Sequence, residues 1–245
     1  MEAKHRFLIS EISNQGYAFV KGREVKHARK VLRLSIGDLV VVFDEEGNEF
    51  LAKIKRYFSK EDMEVTLVEK LERKVEADKK IHLVMGLCRS KNFELALQKC
   101  TEIGISSIIP LETTRSILKG SDAVKKIPRW RNIALDAVKQ SKRTNIPEIS
   151  TPYTLESIFR ERDINPRNSV VALISENNVY LRNVIDTIRE EKEIYLFIGP
   201  EGGFADGEIA MFVSQNIPSI SLGKRVLRAE TAAIYLTSIL FYELG

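Results

Sequence analysis

The stretch Glu193-Ile-Tyr-Leu-Phe-Ile-Gly-Pro-Glu-Gly-Gly-Phe204 decides the fold of the larger part of this chain. Its apolar run predicts a buried strand, and the glycine-rich loop behind it leads toward a helix. A second loop, Leu222-Gly-Lys-Arg-Val-Leu-Arg-Ala-Glu-Thr231, follows the short strand 219–222 and enters a long apolar helix. Glycines allow such loops to approach a ligand closely or to adopt positive φ angles. The two loops together predict a cofactor pocket.

Upstream of these loops, apolar runs alternate with helical patterns from residue 81 onward. This alternation favours a mostly parallel sheet with helices on its faces, and we predict an α/β domain. The predicted strands are 81–87, 105–110, 169–174, 193–198 and 219–222, and the predicted helices are 92–103, 129–143 and 229–244.

The N-terminal part of the chain has a different pattern. Residues 1–72 contain short β-prone runs around one helix, predicted at 24–34, and a hairpin turn at 44–48. They predict a small β-barrel-like module. The charged run 72–80 reads as a linker, so we predict one domain over 1–72 and a second over 73–245.

The cations of this chain are clustered along the sequence. The net charge of +4 over 245 residues is mild. However, six Lys and Arg residues face a single acid in 21–33, and seven face a single acid in 125–143. Such clusters indicate contact with RNA or DNA. The alternative for either cluster is a solvated helix face.

Several common kinds of site are absent from the sequence. Neither dinucleotide-binding nor P-loop motifs follow the first strand of the α/β region, and no GxSxG or HExxH motif occurs. The three histidines are scattered, so no metal site is expected. Cys88 and Cys100 read as buried residues of a reducing compartment, and Trp130 as a core residue. No apolar run approaches the length of a membrane span, and we expect a soluble, cytoplasmic protein with no membrane contact.

The chain resembles the RsmE family of SPOUT-class RNA methyltransferases. The two loops are the most specific part of the resemblance. Further matching segments are Arg6-Phe7, His27, Val31-Leu-Arg-Leu34, Gly37-Asp38, Glu94, Gln98-Lys99, Thr101-Glu-Ile-Gly104, Pro110-Leu-Glu-Thr-Thr-Arg-Ser116, Arg129-Trp130 and Gln140-Ser-Lys-Arg143. One departure is Arg89, which stands where members of the family often carry Lys.

The resemblance implies a PUA-like N-terminal barrel and a SPOUT domain whose final segment threads a trefoil knot. It also implies a homodimer that uses S-adenosylmethionine to methylate N3 of one uridine in 16S ribosomal RNA, as RNA or within the small ribosomal subunit. Two alternatives stay open. One is methyl transfer to another RNA base or to a ribose 2′-OH, and the other is a non-catalytic RNA-binding assembly factor.

The resemblance also implies roles for individual residues. Arg228 would stabilise the developing uracil anion and Glu230 would act as base or orient the target, although both could instead form an ion pair that ties the loop to its helix. The cofactor would lie against Leu173, Ser175, Leu196, Ile198, Gly199, Gly203, Leu222, Gly223, Val226, Leu227 and Thr231. The RNA would contact Arg6, Lys26, Arg29, Arg33, Arg89, Arg115, Gln140 and Arg143.

Overall fold

The computed structural model describes residues 5–13, 15–72, 75–174 and 179–244. The chain divides into two compact units. The first unit ends at Glu76 and also includes Lys142–Asn145, and the second comprises Ala77–Ser141 and the chain from Ile146 onward.

The first unit is built on a five-stranded sheet with one helix. Its elements are β1 (Arg6–Leu8), β2 (Tyr17–Lys21), α1 (Arg23–Lys30), β3 (Leu39–Phe43), β4 (Glu49–Tyr57) and β5 (Asp62–Leu71). The strand order is β1-β3-β4-β5-β2, and every neighbouring pair except β1–β3 is antiparallel. Beyond β1 the chain pairs back onto β2, since Ser10 N donates to Phe19 O and Ile12 bridges Ala18. The sheet therefore closes on itself, and the predicted barrel-like module is confirmed.

Helix α1 is shorter than the predicted 24–34. It ends at Lys30, and Arg33 adopts a φ of 55°, which an α-helix cannot continue. Leu32 and Leu34 nevertheless pack against the barrel core from the turn that follows. These apolar residues therefore reach the core from a turn and not from a continued helix, and the predicted end of the helix was wrong.

The division between the units differs from the predicted boundary after residue 72, because Glu76 fixes a distant segment. Its carboxylate accepts hydrogen bonds from Arg143 Nη2 (2.7 Å), Thr144 N (3.0 Å) and Asn145 N (3.1 Å). Burial works to raise the pKa of Glu76, but these donors and the charge of Arg143 hold it below its usual range.

The second unit is a parallel α/β sandwich. Its strands are β6 (Lys80–Gly86), β7 (Ser107–Leu111), β8 (Glu148–Ile149), β9 (Ser169–Ala172), β10 (Val179–Tyr180), β11 (Glu193–Ile198) and β12 (Ser219–Ser221). Its helices are α2 (Ser90–Ile103), α3 (Gly120–Val124), α4 (Ile127–Ser141), α5 (Leu155–Glu161), α6 (Ile185–Arg189), α7 (Asp206–Ser214) and α8 (Ala229–Leu244). The sheet order is β10-β12-β9-β11-β6-β7-β8, and its strand pairings are all parallel over the described residues. The predicted α/β sheet is confirmed.

Helices cover both faces of this sheet. Phe93 of α2, Trp130 of α4 and Leu236 of α8 belong to one core, while Phe159 of α5 and Phe212 of α7 pack on the opposite face. Trp130 is fully buried, and its ring lies 4.4 Å from that of Phe93 (centroid to centroid), which confirms its predicted place in the core.

Helix α8 packs against α2, β6 and β11, although it follows β12 directly in sequence. Strand β9 lies between β12 and β11 in the sheet. The chain after β12 must therefore cross the ends of β9 and β11, and the trefoil knot implied by the resemblance would be tied at this crossing. Within the described residues, no helix is long and apolar enough to cross a membrane. Cys88 and Cys100 are buried free thiols, as predicted.

His82, in β6, is expected to make the stability of the protein sensitive to acid. Its ring stacks on Tyr195 at 4.8 Å, Nδ1 is 2.7 Å from Ser107 Oγ, and burial holds its pKa below the usual value of 6.5. Below about pH 6.5 the unfolded chain takes up a proton that the folded chain does not bind, so the free energy of unfolding should fall as pH falls. Denaturant titrations at several pH values would measure this slope. His82→Asn should have a shallower slope, and equal slopes in the two proteins would contradict the prediction.

Candidate functional site

Three neighbouring strands of the parallel sheet end side by side, and each continues into one of the segments predicted to bind the cofactor. Strand β9 continues into 173–174, β11 into 199–204 and β12 into 222–228. Because the strands are parallel and adjacent, these segments share one edge of the sheet, which we call the carboxyl edge. Ligands of open α/β sheets bind at this side.

The loop 199–204, which we call the first loop, is folded tightly against β6. A Cβ atom on Gly86, the last residue of β6, would lie 2.5 Å from the backbone N of Pro200. Within the loop, Gly203 N donates to Pro200 O (2.9 Å), and Gly203 has a φ of +67°. A Cβ on Gly199 would lie 3.3 Å from the backbone of Gly203. The glycines are therefore required by the turn itself and by its contact with β6.

The side chain of Glu201 fixes one side of this loop. Its Oε1 accepts hydrogen bonds from Arg89 N (3.0 Å) and from Asn92 Nδ2 (3.0 Å) at the start of α2. The first amides of a helix have no partner within the helix, and a carboxylate is a favourable acceptor there. The loop and the N-terminus of α2 consequently hold each other in place.

Arg115 and Glu208 fix the other side of the loop. Arg115 Nη1 donates to Gly202 O (2.9 Å) and Phe204 O (3.2 Å). Glu208, in α7, accepts from Thr114 N (2.7 Å) and Ala205 N (2.7 Å). The segment after β7 is thus bound to the first loop through two sets of hydrogen bonds.

Apolar side chains are unusually exposed where the other two segments leave the sheet. Ile174, after β9, is 82% exposed, and Val226, after β12, is 74% exposed. Gly223 has a φ of +106°, and the positions that a Cβ would take on Gly203 and Gly223 have no neighbouring atom within 4 Å. The edge thus combines open backbone with apolar contact surface. Ile174 lies between Leu173 and Ser175, at the strand end that is expected from the sequence to complete the pocket wall.

Glu230 lies in the first turn of α8 and is 6% exposed. Its Oε2 is buried and has no hydrogen-bond partner in the described part of the chain. Burial, together with the charges of Glu201 and Glu230, raises the pKa of the Cys88 thiol to about 12. Helix α8, which begins at Ala229, packs against β6 and β11, the two strands that flank the first loop.

Arg228 precedes α8 and is exposed. No ion pair joins it to Glu230 within the residues that the structure describes, so the alternative of a loop-to-helix ion pair gains no support.

The structure places the other predicted cofactor residues in different environments. Leu196 and Ile198 lie in β11, where their side chains are buried in the core and their residues pair with those of β9. Leu173 N donates to Ile220 O (3.3 Å), which extends the pairing of β9 with β12. Leu222 and Leu227 pack against the core, and Thr231 is an exposed residue of α8. Ser175 lies outside the described residues.

Two of the predicted RNA contacts have a structural role in the first unit. Arg6 is buried, with Nη2 2.6 Å from Glu49 Oε1 and Nη1 donating to the carbonyl oxygen of Arg143 (2.8 Å). Arg143 is buried against Glu76. Both cations are thus paired with carboxylates inside the first unit, an arrangement that the sequence alone does not reveal. The predicted contacts that are exposed are Lys26, Arg29, Arg33, Arg89, Arg115 and Gln140.

The residues of the carboxyl edge fit a neutral adenosine group better than a phosphate or a metal. Exposed Ile174 and Val226 offer apolar surface to an aromatic base, and the open backbone at Gly203 and Gly223 can approach it closely. Over the described residues, no cluster of His, Cys, Asp or Glu could hold a metal ion.

Comparison with known proteins agrees with this description. The family model described as "RNA methyltransferase domain" matches residues 75–241, and that described as "RNA methyltransferase PUA domain" matches 20–68. The ribosomal RNA small subunit methyltransferase E of Mesomycoplasma hyopneumoniae is 31% identical over 95% of this chain and 96% of its own length. The protein of the same name from Bacillus subtilis is 26% identical over 91% of this chain and 89% of its own.

A solved structure is similar over the whole length. A Legionella pneumophila protein, crystallised with bound S-adenosylmethionine, is 31% identical and superimposes with a TM-score of 0.87 over 98% of this chain and 97% of its own. The predicted cofactor is thus the one that this relative binds, and the predicted fold class is confirmed. The chain therefore belongs to the RNA methyltransferase family of the ribosomal RNA small subunit methyltransferases E, with a PUA domain in its N-terminal part.

Proposed function

We propose that this protein uses S-adenosylmethionine to methylate N3 of one specific uridine in the 16S ribosomal RNA of the small subunit, in the cytoplasm. The observation that carries the proposal is the carboxyl edge, where an open, partly apolar surface adjoins the buried and unpartnered Glu230 Oε2. A protein that only binds RNA has no need for this combination.

The cofactor would be held by the three segments of the carboxyl edge. Backbone groups of Ile198–Gly203 and Leu222–Leu227 would bind the adenosine, with Leu173, Ile174 and Val226 against the base. When bound, the cofactor supplies an electrophilic methyl group. The hydrogen bonds of Glu201 and Arg115 keep the first loop in one conformation, which reduces the entropy lost on binding.

The remaining chemistry concerns the proton on uridine N3, which must leave as the methyl arrives. Glu230 Oε2 has no hydrogen-bond donor among the described residues, so it can accept this proton. Arg228 is exposed beside it in sequence and would stabilise the negative charge that develops on the uracil ring. Positioning of the two reactants supplies the rest of the rate enhancement.

We further propose that the protein is a homodimer formed through α8. The outer face of this helix carries two exposed tyrosines, Tyr235 and Tyr242, 47% and 88% exposed. Together they line a shallow depression with Thr231, Ile234, Ser238, Ile239 and Glu243. Sedimentation of the wild type should give the mass of two chains, and Tyr235→Glu should give that of one. A monomeric wild type would contradict this part of the proposal.

Transfer of labelled methyl groups tests the function as a whole. Small subunits or 16S RNA from cells that lack the modification would be incubated with the protein and labelled cofactor, and the nucleosides analysed. Label in 3-methyluridine supports the proposal. Label in another base or in a ribose would favour a different RNA methyltransferase. If the protein neither binds the cofactor nor transfers a methyl group, the proposal is wrong and a non-catalytic RNA-binding assembly factor is favoured.

Arg115→Ala is expected to weaken cofactor binding about tenfold, because two hydrogen bonds from a charged group to the first loop are lost. Calorimetry with S-adenosylmethionine measures the change. Arg160→Ala, which removes an exposed cation of α5, is the control and should bind normally. If Arg115 contacts RNA instead, as the resemblance implies, Arg115→Ala would lose affinity for RNA and keep its affinity for the cofactor.

A further inference from the structure

The outer face of the barrel sheet carries aromatic rings interleaved with cations. Tyr17 and Phe19 of β2 point away from the core, since their neighbours Ala18 and Val20 are fully buried. Phe58, just after β4, is 52% exposed. We call the cluster of Tyr17, Phe19, Lys55, Arg56 and Phe58 the aromatic patch.

The members of the aromatic patch are in direct contact. The rings of Phe19 and Phe58 are 6.4 Å apart and inclined by 32°. Arg56 Cζ lies 4.1 Å from the centroid of Phe58, and Lys55 Nζ lies 3.5 Å from that of Tyr17. Surface aromatics next to cations in this way form a continuous surface and not a set of isolated side chains.

A buried carboxylate holds the two cations of the patch in place. Glu64 of β5 is 3% exposed, and its oxygens bind Lys55 Nζ (3.1 Å) and Arg56 Nε (2.5 Å). Most surface lysines and arginines move between many rotamers, and that freedom is lost when they bind a ligand. The cations of the patch are already positioned beside the rings.

The basic face of α1 adjoins this patch. Arg29 Cζ lies 5.0 Å from the centroid of the Tyr57 ring, and Arg29 Nη1 lies 3.5 Å from Ser59 O. Tyr57 and Ser59 are the two neighbours of Phe58 in sequence. Lys26 pairs with Glu61 in the same turn. The predicted RNA contacts Lys26 and Arg29 therefore reach the turn 58–61, which carries Phe58 of the aromatic patch.

We propose that the aromatic patch binds unpaired nucleotides of RNA, with a base stacked on Phe58 and the adjacent phosphates near Arg29 and Arg56. Exposed aromatic rings can stack on the flat face of any base, and neighbouring cations can bind the phosphates of the RNA backbone. The bases of a duplex are stacked on each other and cannot reach the rings. The proposal rests on the proposed function, because it identifies the patch as a binding site for the RNA substrate.

Two variants of Phe58 separate stacking from apolar contact. Phe58→Leu keeps an apolar side chain but removes the ring, and should weaken binding of a short single-stranded RNA oligonucleotide about tenfold. Phe58→Trp keeps a flat ring and should bind at least as tightly as the wild type. Fluorescence anisotropy of the labelled oligonucleotide, with the full-length protein, measures both. Equal affinity of Phe58→Leu and wild type would overturn the proposal.

Salt dependence distinguishes the ring from the cations. Phe58→Leu should leave the slope of log affinity against log salt unchanged, whereas Arg29→Gln should reduce it by about 0.7, the value for one phosphate contact on a single strand. A duplex RNA that binds wild type and Phe58→Leu equally would agree with the proposal, and a duplex whose affinity falls with Phe58→Leu would contradict it.

Failure of this inference is distinguishable from failure of the proposed function. Phe58→Leu should bind S-adenosylmethionine like the wild type, because the substitution lies on the surface of the first unit. A wild type that binds neither RNA nor cofactor would refute the function itself. A wild type that methylates RNA while Phe58→Leu binds RNA normally would refute only the aromatic patch.

Discussion

Arg228→Ala is expected to slow methyl transfer about 100- to 1000-fold while the affinity for S-adenosylmethionine stays near that of the wild type. Removing one group that stabilises charge in a transition state has this magnitude in other enzymes. Arg228 is exposed and lies outside the two hydrogen-bonded sides of the first loop, so its loss should not disturb the fold. Single-turnover rates at saturating RNA and cofactor measure the chemical step directly.

Arg225→Ala is the matched control for Arg228→Ala. Arg225 is an exposed cation of the same loop, and its loss can change RNA affinity but should not change the rate at saturation. Equal rates for the two variants would contradict the role given to Arg228.

Glu230→Gln keeps the shape of the side chain but removes the basic oxygen, and should slow methyl transfer about 100-fold or more. Near-normal turnover of Glu230→Gln would show that Glu230 is not the base.

Gly86→Ala should weaken binding of the cofactor and leave the chemical step unchanged. The added Cβ would lie 2.5 Å from Pro200 N and 2.9 Å from the carbonyl carbon of Gly199, and neither backbone atom can move freely. Overpacking of this kind costs about 1–3 kcal/mol. The strain is relieved when the first loop shifts, so the Kd for S-adenosylmethionine should rise about tenfold or more.

Gly207→Ala is the control for this substitution. Gly207 lies in α7, and a Cβ there has no neighbour within 4 Å, so the variant should be more stable than wild type by about 0.5–1 kcal/mol. Chemical denaturation and calorimetry of the two variants together check the prediction. A Gly86→Ala protein with normal cofactor affinity would mean that the first loop is not fixed by its contact with β6.

Local patterns were sufficient for much of the fold. The strand Glu193–Ile198 and the helix Ala229–Leu244 have the bounds that their apolar runs predict, because the strand is buried along most of its length and the helix buries one face against the core. The short helix α5 was missed, and α7 was expected after the first loop without bounds. Helices of seven and nine residues offer too few turns for a clear periodicity, and tertiary packing determines them.

The candidate site shows where sequence reasoning ends. The glycine-rich loops were recognisable from their composition, and the structure brings their segments to one edge. The role of Arg115 was not recognisable, since its acceptors are 87 and 89 residues away in sequence. The same holds for Arg6 and Arg143, whose carboxylates are 43 and 67 residues away. A cation in a sequence does not reveal whether a distant acid or carbonyl will occupy it.

The return of Lys142–Asn145 to the first unit has a consequence for the order of synthesis. The barrel strands are complete once β5 has been translated, but the partner of Glu76 and the carbonyl that binds Arg6 follow only with Arg143. A nascent chain that ends before this residue leaves Glu76 without its arginine. The N-terminal unit can therefore reach its final structure only after the ribosome has made more than half of the protein.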